Sequence, residues 1–405
     1  MTGHAETTVQ QILASERFRR AAETLATEHD RTVDDIIRLT EIEAPSFNEN
    51  VRARTWHDMA KAHGLDDLEI DAEGNVTGIR RGIGNGPLIC VAAHLDTVFP
   101  GGTDVKVRRE GTKLFAPGVG DDTRSLAVLL AWLRALDAAK IDTRADILFV
   151  ADVGEEGTGD LRGMRHLFQR GRYKDRISAF ITVDSPNMDR IVTGGVGSKR
   201  YRVTFKAPGG HSYGAFGVVN PMFAMADAIS RLGRVPVPAE PKTTYSASVT
   251  GGGTSINSIP NAVWTEFDLR SVSVRELNEL EERFLRIVDA AVAAENDIRS
   301  TRNGPVSAEI TPIGDRPAGH TSESHELVRF AQAAINAKGF ETRFESSSTD
   351  ANIPMSLGIP AIRIGSGGTG AREHSLEEWI DVEPDSSLRG MEAGLATLLA
   401  VAGVV

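Results

Sequence analysis

The sequence of 405 residues has a single cysteine, Cys90, which excludes an internal disulfide. Cys90 lies within the apolar run Pro87–Ala93, and this position favours a buried structural thiol over a reactive one. A lack of disulfides is typical of a reducing compartment. The first residues also lack the basic and apolar regions of a signal peptide. We therefore expect a cytoplasmic protein.

The sequence also lacks an excess of basic residues, and it lacks long apolar runs. The 45 Lys and Arg residues stand against 56 Asp and Glu residues, a formal net charge of −11. Nucleic acids and anionic membrane surfaces bind basic faces, so we expect neither as a partner. The C-terminal apolar run Leu398–Val405 is too short to span a membrane. The hydrophobic content of 40% is that of a soluble globular protein, and the length suits two or three domains.

Strand-like and helix-like segments alternate through most of the chain. The predicted strands are 87–93, 146–152, 178–183 and 360–364, and the predicted helices are 8–43, 49–63, 123–139, 160–171 and 323–338. This order predicts an α/β fold with a mostly parallel sheet that is covered by helices on both faces.

The region from 197 to 312 departs from this alternation. Its predicted elements are a strand at 199–206, a helix at 219–233, strands at 243–250 and 260–271, a helix at 274–294 and a strand at 306–313. This βαββαβ order is that of a ferredoxin-like unit. We therefore expect an inserted domain at 197–312 within a discontinuous α/β domain formed by 1–196 and 313–405. The flanks Thr193–Ser198 and Ile313–Gly319 contain Gly or Pro and suit hinges.

Five short segments that carry acidic or histidine side chains each end an apolar run. They are Val91–Val98, Gly118–Asp122, Val153–Gly157, Val183–Pro186 and Arg372–Ser375. Divalent cations bind carboxylate oxygen and imidazole nitrogen, and open α/β sheets build their sites at the carboxyl ends of strands. The pattern predicts one two-metal site that is scattered along the sequence, and it makes the protein a candidate hydrolase.

The first two segments allow both a functional and a structural interpretation. His94 and Asp96 would point to the same face of a strand, so His94 suits a metal ligand and Asp96 suits the residue that fixes its tautomer. In isolation such a pair is more often a packed or surface pair. Asp121 and Asp122 precede a predicted helix, so we expect one of them to cap it, while the other carboxylate would bridge two cations.

The remaining three segments differ in how strongly they indicate function. Glu155 and Glu156 are adjacent like charges at the end of an apolar strand, which favours a nearby cation. One of them would ligate metal, and the other would take a proton from water. Asp184 also ends a strand, where an Asp-Ser-Pro turn is an equal alternative, and a lone histidine such as His374 in a Gly-rich loop is usually incidental.

Taken together, the motifs resemble those of the M20 metallopeptidases, which include aminoacylases, dipeptidases, tripeptidases and succinyl-diaminopimelate desuccinylases. His-x-Asp-Thr-Val, Gly-x-Gly-Asp-Asp, Glu-Glu-Gly, Val-Asp and the late His follow the family's order, and the resemblance runs from about residue 33 onward. It implies a zinc-peptidase-like catalytic domain with a ferredoxin-like lid or dimerisation domain at 197–312. It also implies a homodimer formed through that domain.

The resemblance further implies two divalent cations, usually zinc and in some members cobalt or manganese. It assigns His94 and Asp184 to one cation, Glu156 and His374 to the other, Asp121 as the bridge, Glu155 as general base and Asp96 as the residue that orients His94.

Within the inserted domain, the resemblance concerns His211, Asn257 and Arg270. It implies that His211 reaches a partner subunit's active site and stabilises the oxyanion, and that Asn257 and Arg270 hold a substrate carboxylate. Without the family, His211 reads as a turn histidine, and the other two read as turn and surface residues. One departure is Thr123-Arg124, where many relatives carry Lys-Gly after the Asp-Asp pair.

The favoured hypothesis is therefore a dinuclear metal hydrolase that cleaves an amide C–N bond, an aminopeptidase or a di- or tripeptidase acting on small peptides. One alternative on the same fold is a deacylase of an N-acyl amino acid or an aminohydrolase of another small amide or amine. The other is a non-catalytic binding protein. Retention of all five proposed ligands together with Glu155 argues against a binding protein.

Overall fold

The computed structural model describes residues 2–84 and 86–405, which divide into two units that each have their own hydrophobic core. The first unit contains the chain up to Gly195 together with Gly319–Val405. The second unit is Val196–Ala318. It extends beyond the predicted limit of 312 because its last strand continues to Arg316.

The first unit is built on a nine-stranded sheet and a smaller four-stranded one. The strands of the large sheet are β1 (Asp66–Ile70), β2 (Val76–Arg80), β3 (Leu88–His94), β6 (Asp146–Asp152), β7 (Ile177–Val183), β8 (Arg190–Gly195), β15 (Gly319–His320), β16 (Arg343–Ser347) and β17 (Ala361–Ile364). The small sheet contains β4 (Arg108–Glu110), β5 (Lys113–Phe115), β18 (Thr369–Ala371) and β19 (Trp379–Asp381).

Nine helices accompany these sheets in the described part of the first unit. They are α1 (Thr2–Ala14), α2 (Glu16–Thr27), α3 (His29–Thr40), α4 (Asn50–Ala60), α5 (Arg124–Ala139), α6 (Arg162–Arg165), α9 (Glu326–Ala337), α10 (Asn352–Ser356) and α11 (Pro384–Ala402). In the described residues no helix combines the length and the apolar character that a membrane crossing requires.

The middle of the large sheet is parallel, as predicted, while its outer part is mixed. Strands β6, β3, β7 and β17 are neighbours in this order and all run parallel. The pairs β1–β2 and β2–β6 are antiparallel, and so is the pair β17–β8. The repeated strand–helix pattern does not reveal these pairs, because β2 and β8 pair with strands far away in the sequence and β1 is short and largely exposed.

Strand β3 shows how the core covers both faces of the sheet. All seven of its residues are buried. Ile89, Val91 and Ala93 pack into one hydrophobic cluster, and Leu88, Cys90 and Ala92 pack into another on the opposite face. Such continuous apolar strands are typical of a parallel sheet that lies between two layers. Cys90 is buried as expected, and this burial raises the pKa of its thiol.

The second unit is a four-stranded antiparallel sheet covered by two helices. Its elements are β9 (Gly197–Lys206), β10 (Gly210–His211), α7 (Pro221–Leu232), β11 (Thr243–Gly252), β12 (Ser258–Ile259), β13 (Ala262–Ser271), α8 (Val274–Ile298) and β14 (Ser307–Arg316). The strand order β11-β13-β9-β14 and the chain order of the long elements are those of the ferredoxin-like fold, as predicted. Strand β13 alternates strictly between buried and part-exposed residues because only one of its faces meets the helices.

The helical predictions for 8–43 and 160–171 are confirmed, with interruptions. The first region forms three helices that are interrupted at Ser15 and Glu28, and the second contains α6 followed by a π-helical segment at His166–Arg170. The prediction of a hinge was wrong. The proposed hinge Thr193–Ser198 is almost entirely strand. Its glycines permit close packing: a Cβ on Gly194 would lie 2.3 Å from Ser346 Oγ, and one on Gly195 would lie 3.0 Å from Asn352.

Candidate metal centre

The carboxyl ends of the parallel strands bring the predicted ligands to one edge of the large sheet. His94 is the last residue of β3 and lies opposite Asp152, the last residue of β6. Glu155 and Glu156 follow β6, and Asp184 follows β7. Parallel neighbours end at the same edge, so residues far apart in sequence become adjacent there.

Asp121 lies between two histidines. Its Oδ1 is 2.9 Å from His94 Nε2, and its Oδ2 is 3.0 Å from His374 Nε2. His374 Nε2 is also 2.9 Å from Glu156 Oε1. Ligand atoms of His94, Asp121 and Glu156 all lie within 4.8 Å of one another. This set of carboxylate oxygens and imidazole nitrogens fits a divalent cation.

The charges of this cluster favour a positive ion. Burial lowers the pKa of His94, but contacts with Asp121 and Asp96 outweigh burial and raise this pKa well above its usual value. Hydrogen bonds to Asp121 and Glu156 raise the pKa of His374 to about 11. Burial, with the charge of Asp121, raises the pKa of Glu156. Each shift reflects carboxylates that are removed from water and attract positive charge.

Asp96 makes contacts that differ from the expected ones. His94 Nδ1 lies 3.0 Å from the main-chain oxygen of Asp96 and 3.7 Å from its carboxylate. The fully buried carboxylate instead accepts the main-chain N–H groups of Glu155 and Glu156, at 2.9 and 3.0 Å, and the hydroxyl of Ser46 at 2.6 Å. Asp96 therefore fixes the backbone that carries both glutamates, and a proton on Nδ1 leaves His94 Nε2 directed at Asp121.

Asp122 does not cap the following helix, so the expected capping role was wrong. The residue before α5 is Thr123, which makes no side-chain capping bond. Asp122 Oδ2 instead accepts the main-chain N–H of His94 at 3.1 Å. It therefore links the loop that carries Asp121 to the end of β3.

Asp184 is buried but lies outside the three-residue group of His94, Asp121 and Glu156. Its carboxylate pairs with the Arg363 guanidinium of β17, with Nε 3.3 Å from Oδ2. The main-chain N–H of Asp184 donates to Ile364 at 3.0 Å. Asp184 therefore lies just after β7, as predicted. The guanidinium beside it, that of Arg363, was not considered in the sequence analysis.

Glu378 is a second residue that the sequence analysis missed. It is buried, and its carboxylate accepts the N–H groups of Gly118, Gly120 and Asp121 at 2.9, 2.7 and 2.9 Å. Burial, with the charge of Asp121, raises the pKa of Glu378 to about 8. In the sequence it is one of two adjacent glutamates after His374, so no local signal distinguishes it from its exposed neighbour.

The glycines of this loop are required by close packing. Gly118 has a φ of 76°, and a Cβ there would lie 2.6 Å from Thr97 Cγ2. A Cβ on Gly120 would lie 2.9 Å from Ile380 Cγ2. The loop is thus fixed by packing as well as by the Glu378 carboxylate.

Asp152, the last residue of β6, and Asp350 form a buried acidic pair. Burial raises the pKa of Asp152 to about 7. Burial, with the charges of Asp152 and Glu155, raises the pKa of Asp350 well above its usual value. The sequence analysis assigned no role to either residue, because one lies within an apolar strand and the other in a Ser-rich loop.

The three residues predicted in the inserted domain lie in the second unit. His211 is exposed on β10, and its Nδ1 accepts the N–H groups of Tyr213 and Gly214, both at 3.2 Å. The main-chain oxygen of Asn257 accepts the N–H of Ser212, so the loops that carry His211 and Asn257 are adjacent. Arg270 lies apart from them on β13, where its Nε donates to Asp268 at 2.7 Å.

Residues 90–401 match the model of peptidase family M20/M25/M40. A putative [LysW]-lysine/[LysW]-ornithine hydrolase of Pyrococcus abyssi is 34% identical over 32% of this chain and 34% of its own length. A succinyl-diaminopimelate desuccinylase of Leptothrix cholodnii is 26% identical over 57% of this chain and 63% of its own length. The matches therefore span less than two thirds of each of these two relatives.

Solved structures show the same fold at low sequence identity. The aminopeptidase PepT of Bacillus cereus has a TM-score of 0.75 and 20% identity over 92% of this chain and 99% of its own. A dinuclear metal-binding M20 peptidase of Bacillus subtilis has a TM-score of 0.68 and 18% identity over 93% of this chain and 99% of its own.

We predict that Glu378→Gln lowers the free energy of unfolding by about 1–3 kcal/mol, because an amide nitrogen would face a buried N–H donor. Chemical denaturation of the full chain measures this change. Glu377→Gln is the matched control, since Glu377 is exposed and pairs with Arg372 at the surface. Equal stability of the two variants would show that the Glu378 carboxylate does not hold the loop.

Proposed function

The chain belongs to peptidase family M20/M25/M40, and on that premise we propose that it is a dinuclear metal-dependent hydrolase that cleaves an amide C–N bond. The observation that carries this proposal is the contact of two imidazoles with the two oxygens of the Asp121 carboxylate. A carboxylate between two nitrogen ligands suits a bridge between two cations.

In this proposal His94 and Asp184 would hold one cation, Glu156 and His374 would hold the other, and the Asp121 carboxylate would be shared by both. Zinc suits the mixed nitrogen and oxygen donors, with cobalt or manganese as alternatives. When bound, the two cations polarise the scissile carbonyl and lower the pKa of water.

Glu155 is the proposed general base. It is buried at the strand end, and its backbone is fixed by the N–H bond to Asp96. In the proposed reaction its carboxylate accepts a proton from water and passes it to the leaving amine. Asp96 is a positioning residue, because it holds Glu155 and Glu156 by their N–H groups and contacts His94 through its main-chain oxygen.

Small peptides are the proposed substrates, cleaved by an aminopeptidase or a di- or tripeptidase activity. The likeness in fold to the aminopeptidase PepT supports this choice. A deacylase of N-acyl amino acids is the second candidate, because a succinyl-diaminopimelate desuccinylase is among the relatives. Rates on matched di- and tripeptides, N-acetyl and N-succinyl amino acids would separate the two. Cleavage of the acyl series alone would reject the peptidase.

The second unit supplies the proposed substrate contacts. His211 Nδ1 accepts two N–H bonds, so in the neutral ring Nε2 carries the proton and is a donor. We assign this donor to the oxyanion at the active site of a partner subunit. Asn257 and Arg270 are the proposed contacts to a substrate carboxylate, for which the planar guanidinium has suitable geometry.

A homodimer formed through the second unit, in the cytoplasm, completes the proposal. Strand β11 forms one edge of its sheet, and most of its residues are exposed. Tyr213, Phe216 and Ile256 are apolar residues of the same unit that are at least 82% exposed. Large exposed apolar residues and an open strand edge are each typical of an interaction surface. The single buried cysteine suits a reducing compartment.

We predict that Glu155→Gln lowers turnover about 10²–10⁴-fold, because an amide cannot accept the proton of water. Metal content should stay unchanged, since this residue is not a proposed ligand. Steady-state rates and elemental analysis on the same preparation test both statements. Substantial activity in a fully metallated variant would reject Glu155 as the base.

We predict that His211→Ala lowers kcat about 10²–10³-fold and changes KM much less, as expected for a donor that acts in the transition state. His211→Gln keeps an N–H donor and should recover part of kcat. An unchanged kcat in His211→Ala, or a change confined to KM, would exclude the oxyanion role.

We predict that light scattering gives twice the 43.6 kDa mass of the chain. Val249→Lys should favour the monomer, because Val249 is exposed on the edge strand β11 and a lysine there opposes strand pairing. Ile298→Lys is the control: Ile298 is also exposed but lies at the end of α8. A monomeric native chain, or equal loss of the dimer in both variants, would contradict an interface at β11.

A further inference from the structure

Arg363 places a buried positive charge beside the proposed metal ligand Asp184. The two side chains are 11% and 12% exposed, and Arg363 Nε lies 3.3 Å from Asp184 Oδ2. A second guanidinium nitrogen lies 3.5 Å from Asp184 Oδ1 and donates to the Ser185 hydroxyl. Asp121 and Glu373 are further carboxylates that interact with this charge.

The turn at Asp184 is also held by contacts that do not involve Arg363. The main chain of Asp184 is held by its N–H bond to Ile364 at 3.0 Å. The main-chain oxygen of Ser185 accepts both the N–H and the hydroxyl of Ser366, at 2.8 and 2.9 Å. The distances from Arg363 to Asp184 are also longer than those of a bidentate ion pair. The shorter hydrogen bond that Arg363 makes in this turn goes to Ser185, so its action on the Asp184 carboxylate itself is mainly that of its charge.

That charge bears on the proposed dinuclear site. Asp184 would share a cation with His94, yet it lies outside the compact group of His94, Asp121 and Glu156. A guanidinium in contact with Asp184 offsets its negative charge and repels a divalent ion nearby, and burial strengthens both effects. At the other proposed cation position, no Lys or Arg of the described residues forms an ion pair with Glu156, and His374 contacts only the carboxylates of Asp121 and Glu156 there.

We propose that Arg363 makes the two cation positions unequal, so that the position served by Asp184 binds its cation more weakly and fills second. This inference rests on the proposed dinuclear site. It adds a specific consequence: the number of bound cations depends on the free cation concentration, and Arg363 sets the concentration at which the second one binds.

The test measures the binding of Co²⁺ to the metal-free 405-residue chain by titration calorimetry with CoCl2. Elemental analysis checks the number of ions bound. We expect the native chain to bind two Co²⁺ ions with different affinities. Arg363→Met keeps the length of the side chain but removes the charge, and it should tighten the weaker site about tenfold or more. Arg363→Lys keeps the charge and should stay within about threefold of the native chain.

Arg134→Met is the control for loss of a buried guanidinium, because Arg134 pairs with Asp35 and Glu28 among the N-terminal helices. It should leave both Co²⁺ affinities unchanged, and thermal unfolding confirms that each variant is folded. Unchanged or weaker second-site binding in a folded Arg363→Met protein would overturn the inference. Equal weakening in Arg363→Met and Arg363→Lys would do the same, because it would make Arg363 a clamp. A native chain that binds no Co²⁺ would instead reject the dinuclear site itself.

Discussion

The position of Asp121 is the constraint on which the candidate site depends. Its carboxylate contacts His94 on one oxygen and His374 on the other, and these histidines stand 280 residues apart in the sequence. The loop that presents it is fixed by three N–H bonds to Glu378 and by the close approach of Gly118 to Thr97. A carboxylate that is only 11% exposed is tolerated where such donors and positive charges offset its desolvation.

The desolvation of each acidic group at the sheet edge is offset by its own set of contacts. Backbone N–H groups and a hydroxyl satisfy Asp96, a guanidinium faces Asp184, and imidazoles face Asp121 and Glu156. Asp152 and Asp350 differ from these groups, because burial raises the pKa of both carboxyls. The groups that face imidazoles are those for which a divalent cation is the natural counter-charge. Asp96, Asp152 and Asp350 are stabilised by the protein alone, which marks them as supporting residues, whereas Asp184 is a proposed ligand that has the Arg363 guanidinium as its counter-charge.

The sequence predicts those parts of the fold that carry a long-range or periodic signal. The parallel strands read as unbroken apolar runs, and the ferredoxin-like unit follows from its order of elements. The short strands β1, β4 and β5 have no such signal because they are largely exposed. The glycines near 193–198 resemble a hinge, but they lie in strands where neighbouring side chains leave no room for a Cβ. Glu378 and Arg363 were missed for a related reason: each is a common charged residue whose role comes from a partner brought near only by folding.

The origin of the ligands links the site to the folding of the first unit. His94 ends β3, Glu156 and Asp184 follow the neighbouring strands β6 and β7, Asp121 lies on a loop before α5, and His374 lies after β17. No short segment of the chain contains enough of these groups to hold a cation, so the site forms only when the central parallel strands are assembled. Binding of a cation to the native state then stabilises the whole unit, because the unfolded chain offers no comparable set of ligands. The contacts of Glu378 and Asp96 act in the same direction, since they complete the site's geometry through backbone bonds that need no metal.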